Sequence, residues 1–263
     1  MAFHPPEKTL LISRETGIKK VNLPLLSALI LGFLAGGYIS FGYLLYVRIT
    51  ANLPIENWGS LPELIGAALF PLGLVLVLIA GGELLTGNIM TLIPARLSNK
   101  ITTFQIVKNW TIIAISNFAG AVFFAYLFGH KLGLTETEPY LTQTIAIAQA
   151  KVDESFHLAF ISGIGANWLV CLAVWLAYAA KDTAGKILGI WFPIMAFVAI
   201  GFQHVVANMF IIPAAIFAGA FNWIIYLENF VAVFLGNAVG GAFFVGTFYW
   251  MAYSKSGDSP PLR

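Results

Sequence analysis

The sequence predicts an all-α membrane protein: six transmembrane helices in two inverted three-helix repeats, with the second and fifth helices broken. Three observations predict it. The 263 residues are 59% hydrophobic and only 10% charged, where a soluble domain carries about 25% charged residues, so most of the surface must face lipid. Six apolar stretches reach the roughly 20 residues that a helix needs to cross a bilayer. A single offset of 120 residues lays the second half of the chain on the first.

The stretches fall at about 23–47, 62–94, 105–129, 156–180, 187–217 and 224–252. On the first, Ala28, Gly32, Gly36 and Ser40 recur every four residues, a ridge that lets helices approach closely in lipid. Its apolar run is about twice a signal-peptide core, and no small-residue cleavage site follows it. The second exceeds span length and is interrupted by Gly81-Gly82-Glu83-Leu84-Leu85-Thr86-Gly87-Asn88. The third carries Asn109, then the pattern Asn117-x-x-Gly120-Ala121-x-Phe123-Phe124. The fourth holds Asn167 and the only cysteine, Cys171, which alone builds no disulfide within the chain and no Cys-based metal site. The fifth is interrupted at Gly201-Phe202-Gln203-His204-Val205-Val206-Ala207-Asn208. The sixth repeats the third, from Asn237, with its own ridge of Ala232, Gly236 and Gly240. A channel domain over 22–252, with repeats at about 22–129 and 156–252, is thus expected between short polar tails, 1–21 and 253–263.

Positive charge gives the orientation. With the N-terminus in the cytoplasm, eleven of the fourteen Lys and Arg lie on that side: Lys8, Arg14, Lys19, Lys20, Arg96, Lys100, Lys108, Lys181, Lys186, Lys255 and Arg263. Arg48, Lys131 and Lys151 lie on the other. The bias places both termini in the cytoplasm, which requires an even number of crossings. The expected location is the cell (inner or plasma) membrane. A net charge of +2 gives no reason to expect nucleic acid as a partner.

The 120-residue offset pairs Gly81 with Gly201, Glu83 with Gln203, Asn88 with Asn208, Asn109 with Asn229, Asn117 with Asn237 and Gly120 with Gly240. Each repeat holds three crossings, so the second copy inserts upside down relative to the first, and matched interruptions in the two halves point to the transport site. Irregular backbone at membrane depth must line a cavity or be buried in protein, and half-helix N-termini carry positive potential that suits anions.

His204 is the most informative residue. A histidine within a span usually faces the bundle interior or a water-filled path and can exchange a proton near neutral pH; the plain alternative is a buried histidine bonded to backbone. Thr86 offers a hydroxyl or a helix cap. Glu83, a carboxylate deep in a span, must be paired or hydrogen-bonded; its neutral counterpart Gln203 suggests that both support the breaks, as Asn88 and Asn208 do by holding the loop geometry. Asn167 is a candidate lining group. Lys151 either draws anions into a vestibule or is a solvated surface lysine. No metal and no cofactor are expected.

At these residues the chain resembles the formate/nitrite transporter family. The matching segments are Gly82–Asn88, Phe197–Pro213, Lys108-Asn109-Trp110 and Ala166–Trp175, and the resemblance covers about residues 20–252. It implies an aquaporin-like fold, a homopentamer with one pore per protomer, and passage of a small monovalent anion such as formate, nitrite or hydrosulfide; the titratable His204 adds protons as an expected partner. The resemblance implies that His204 and Thr86 form the centre, that Asn167 lines the pore and Lys151 the vestibule. An outer constriction would be Leu84 with Phe197, and an inner one Phe70 with Leu74. Gln203 departs from the glutamate frequent before the histidine, and Leu85 from a frequent aromatic. Formate leads among the substrates because Leu84 and Phe197 match the narrow pattern. An aquaporin-type channel for neutral solutes shares the repeat logic but would carry paired Asn-Pro-Ala boxes, and neither break has one. A membrane enzyme would need clustered ligands or a nucleophile with its base, whereas His4, His130 and His157 lie in the tail or near span ends.

Overall fold

The computed structural model describes residues 3–254. Lys255, Arg263 and the rest of the C-terminal tail after Ser254 lie outside the described residues. Among the described residues, six helical runs are long and apolar enough to cross a membrane: Leu25–Thr50, Leu61–Gly81, Thr103–Lys131, Phe156–Ala179, Thr183–Ile200 and Trp223–Tyr253.

Residues 1–21 read as a polar tail, but Pro6–Val21 forms a helix, α1. Proline at its first turn lacks a backbone N–H that would be unpaired there anyway. Leu10, Ser13 and Gly17 are buried, and a Cβ added at Gly17 would meet the Thr91 carbonyl at 2.5 Å. Sequence alone misses this docking because it depends on small residues over distant backbone, not on an apolar stripe.

The first repeat continues with α2 (Leu25–Thr50), the one-turn α3 (Ile55–Trp58), α4 (Leu61–Leu69) and α5 (Leu72–Val75). Widened turns over Leu76–Gly81 lead to the break. The half-helix α6 (Leu85–Leu97) follows, then α7 (Thr103–Phe124), opened by a capping box between Thr102 and Gln105. The helix α8 (Tyr140–Val152) joins the repeats on the face opposite α1. The second repeat comprises α9 (Phe156–Ala179), α10 (Thr183–Ile200), capped by Asp182, the half-helix α11 (Val205–Phe217), α12 (Trp223–Ala238) and α13 (Phe248–Tyr253).

Both breaks turn on a left-handed glycine: φ is 105° at Gly81 and 88° at Gly201, a region that a side chain disfavours. They are off-centre. The first follows 21 helical residues and precedes 13. The small-residue ridges bring backbones together: a Cβ at Gly36 would collide with the Asn117 carbonyl, and one at Gly236 with the Phe160 carbonyl. These contacts join α2 to α7 and α9 to α12, the same pair in each repeat.

Candidate functional site

Each break is held by an amide lattice, and the two lattices match bond for bond. In the first, the Asn117 side chain donates to the carbonyls of Gly32 and Glu83 (both 2.8 Å) and accepts from Leu85 N–H (2.9 Å). In the second, Asn237 donates to the carbonyls of Gly163 (2.8 Å) and Gln203 (3.0 Å) and accepts from Val205 N–H (2.9 Å). Asn88 donates to Glu83 Oε2 (2.8 Å) and Asn109 Oδ1 (3.0 Å); Asn208 donates to Gln203 Oε1 (2.6 Å) and Asn229 Oδ1 (2.9 Å). Buried polar backbone is thereby satisfied by side chains where the helix has stopped doing so.

The lattices differ in charge. Lys20, at the end of α1, donates to Glu83 Oε1 at 2.8 Å, an ion pair with a buried carboxylate and a partly buried ammonium. The second lattice has Gln203 in place of the glutamate. There Lys151, at the end of α8, donates to the Gly201 carbonyl at 2.9 Å, and its own carbonyl accepts from Gln203 Nε2 at 2.9 Å. Burial holds the Lys151 ammonium below the ordinary lysine value, with Glu154 pulling the other way.

The N-terminal ends of α6 and α11 meet between the lattices. His204 Nε2 lies 2.9 Å from Thr86 Oγ1, and both residues are buried. His204 is also the N-cap of α11: its Nδ1 accepts from Ala207 N–H at 3.1 Å. A neutral imidazole has one donor and one acceptor nitrogen, so the cap fixes the tautomer and Nε2–H donates to Thr86. The symmetry mate of His204 is Leu84, which cannot cap, and α6 has no side-chain cap. One half-helix therefore presents bare N–H groups and the other presents an imidazole.

Two cavities approach this centre. A vestibule of about 400 Å³ is lined by Lys151, Glu63, Tyr43, Phe70, Phe197 and His204, among others. A space of only about 10 Å³ on the α1 side is lined by Lys20, Leu74, Leu84, Gly87 and Tyr178, among others. The expected pairing of constrictions is corrected here. Phe70 faces Phe197 edge-on at 5.7 Å on the Lys151 side, while Leu74 and Leu84 share the Lys20 side. Phe70 and Leu74 are four residues apart on a helical run, hence about 6 Å apart in depth, so each meets the side chain opposite it rather than the other.

Asn167 also differs from expectation. It is fully buried and lines neither cavity. Its Nδ2 donates to the Asn237 carbonyl at 2.7 Å and the Thr86 carbonyl at 3.4 Å, which ties α9 to α12 and to the start of the half-helix α6. Sequence reasoning missed Lys20, Asn117 and Asn237 as site residues. The offset flagged both asparagines, but nothing local revealed that they bond break backbone. Tyr178, whose hydroxyl is 3.3 Å from Thr91 Oγ1 beside the smaller cavity, carried no sequence signal.

The sequence profile of the formate/nitrite transporter family matches residues 7–251. The chain belongs to that family. This transporter is 59% identical over 259 residues to the uncharacterized transporter YrhG of Bacillus subtilis, covering 98% of this chain and 97% of the relative. It is 55% identical over 255 residues to the formate channel BtFdhC of Bacillus thuringiensis, covering 97% and 98%. A solved pentameric formate channel with formate bound superposes with a TM-score of 0.77 at 32% identity, covering 88% of this chain and 98% of that one. The six-span, broken-helix architecture is therefore the family fold, and the chain is a membrane transporter by membership.

Proposed function

We propose that this family member is a formate channel of the cell membrane, a homopentamer with a pore in each protomer and both termini in the cytoplasm. Two similarities support the substrate and the assembly: the formate channel at 55% identity and the pentameric channel solved with formate. The excess of Lys and Arg on the α1 face supports the orientation. The work is transport, without a catalytic step.

The observation that carries the mechanism is the contact of His204 with Thr86 at 2.9 Å, set between Phe70 and Phe197 on one side and Leu74 and Leu84 on the other. A bare anion between apolar pairs is costly. The anion enters the Lys151 vestibule, passes the aromatic pair, and meets a hydroxyl whose oxygen already accepts from the histidine. The Thr86 proton is then free to be donated to the anion. The bare N–H groups of α6 favour negative charge on the Lys20 side. Formate accepts a hydrogen bond from the Thr86 hydroxyl, which the neutral His204 holds in a donating orientation, and crosses with that bond offsetting part of its lost hydration.

Flux of formate, nitrite, hydrosulfide and lactate into proteoliposomes at several pH values tests this. Formate is expected to lead the panel. His204→Phe should abolish most flux, because it removes both the Thr86 bond and the cap. An unchanged rate with unchanged pH dependence would reject the central role of His204, and preference for another anion would reassign the substrate.

A further inference from the structure

The inverted repeat creates two equivalent pockets outside the pore, one on each face. On the α1 face, Gln105, Lys108, Asn109 and Ile112 of α7 wall a cavity of about 330 Å³ together with Lys20 and Ala28. On the α8 face, Ile225, Glu228, Asn229 and Ala232 of α12 wall a cavity of about 410 Å³ together with Asp153 and Glu154. The offset of 120 carries each of the four α7 residues onto its α12 counterpart. The shape is repeated, but the charge is inverted: two lysines on one face, three carboxylates on the other.

The basic pocket lies where the span Leu25–Thr50 begins and the span Thr103–Lys131 begins, at the level of lipid headgroups. Lys108 is exposed and makes no ion pair among the described residues. Lys20 donates one of its three ammonium hydrogens to Glu83. Beside them an apolar flank is exposed on the protomer: Phe104 is 75% exposed and Leu25 58%, with Leu26, Leu29 and Val107 also exposed. A charged head beside an acyl-length apolar flank is the pattern of an anionic lipid site.

We propose that this pocket binds the phosphate of an anionic phospholipid, with Lys108 as the principal contact and Lys20 behind it, the acyl chains lying along α2 and α7. The charge inversion makes the site one-sided: the acidic pocket in the other leaflet repels the same headgroup. Because Lys20 also belongs to the first break lattice, an occupied pocket touches the pore entrance on the α1 side. The lipid site does not depend on which anion crosses the pore.

Native mass spectrometry of the full-length protein tests this, with phosphatidylglycerol and phosphatidylcholine added in equal amounts. The wild type is expected to retain phosphatidylglycerol preferentially. Lys108→Gln should weaken that retention about fivefold and Lys108→Glu about twenty-five-fold, at roughly one surface charge per fivefold step. Glu228→Lys, in the mirror pocket, should gain an additional phosphatidylglycerol. Formate flux of Lys108→Gln in phosphatidylcholine liposomes should match the wild type, which separates this site from the pore. Equal retention of the two lipids, or full retention by Lys108→Glu, overturns the proposal. Displacement of the lipid by millimolar inorganic phosphate alone overturns the lipid assignment in favour of a soluble phosphate.

Discussion

Lys20 and Lys151 occupy equivalent places in the two repeats, yet only Lys20 faces a carboxylate from its break, Glu83 at 2.8 Å. Gln203 brings no carboxylate of its break to Lys151, whose neighbouring acid is Glu154. Gln203→Glu replaces the amide that donates to the Lys151 carbonyl with a negative charge near the vestibule, and should raise the formate concentration for half-maximal uptake about fivefold, the equivalent of roughly 1 kcal/mol; transport kinetics in proteoliposomes check this. Protonation of Lys151 gives a second readout. Burial holds its ammonium below the usual lysine value of 10.5. Rising pH therefore neutralises it earlier than an ordinary lysine, and uptake from that side should decline before pH 10.5. Lys151→Arg, whose guanidinium stays charged, should move the decline to higher pH. Of these residues, His204, Thr86, Glu83 and Gln203 stood out in the sequence, as the rare polar groups of apolar stretches. Lys20 did not, because a lysine in a polar segment looks the same whether it is solvated or inserted beside a buried carboxylate.

At the scale of elements, the half-helices α6 and α11 depend on Asn117 and Asn237 more than on their own turns. Each asparagine closes two hydrogen bonds to broken backbone and a third to a carbonyl of the neighbouring helix, Gly32 or Gly163. Truncation orphans buried donors and acceptors at roughly 1–3 kcal/mol per group. Asn117→Ala and Asn237→Ala should each lower the melting temperature in detergent clearly, and Asn117→Asp should be worse than its removal of one amine suggests, since it adds a buried charge. Thermal unfolding followed by Trp fluorescence or by loss of the oligomer checks both. The spans, the breaks and the repeat were legible because hydropathy and one numerical offset encode them. The pairing of constrictions was not: Phe70 and Leu74 are neighbours in sequence, and only the three-dimensional depth of each side chain assigns its partner. Asn167 was misread for a related reason, since a polar residue in a span can turn toward the pore or toward carbonyl groups of adjacent helices.

For the whole molecule, the two routes to the centre are unequal: about 400 Å³ on the Lys151 side and about 10 Å³ on the Lys20 side. The fold is symmetric in backbone and asymmetric in access, with Leu74, Val77, Leu78 and Leu84 closing the Lys20 side. The helix α1 has a consequence for how the chain can be shortened. The first twenty-odd residues supply the counter-charge of a carboxylate embedded in the membrane domain. Deleting residues through Val21 would strand Glu83 without its cation, which costs several kcal/mol for a buried carboxylate, so the shortened protein should express poorly or fail to assemble. Adding Glu83→Gln to the deletion removes the stranded charge and makes the first break resemble the second, and detergent gel filtration should recover the assembled particle. A segment with the composition of a dispensable leader is thus a covalently attached counter-ion, and its removal is tolerable only when its partner is neutralised in the same chain.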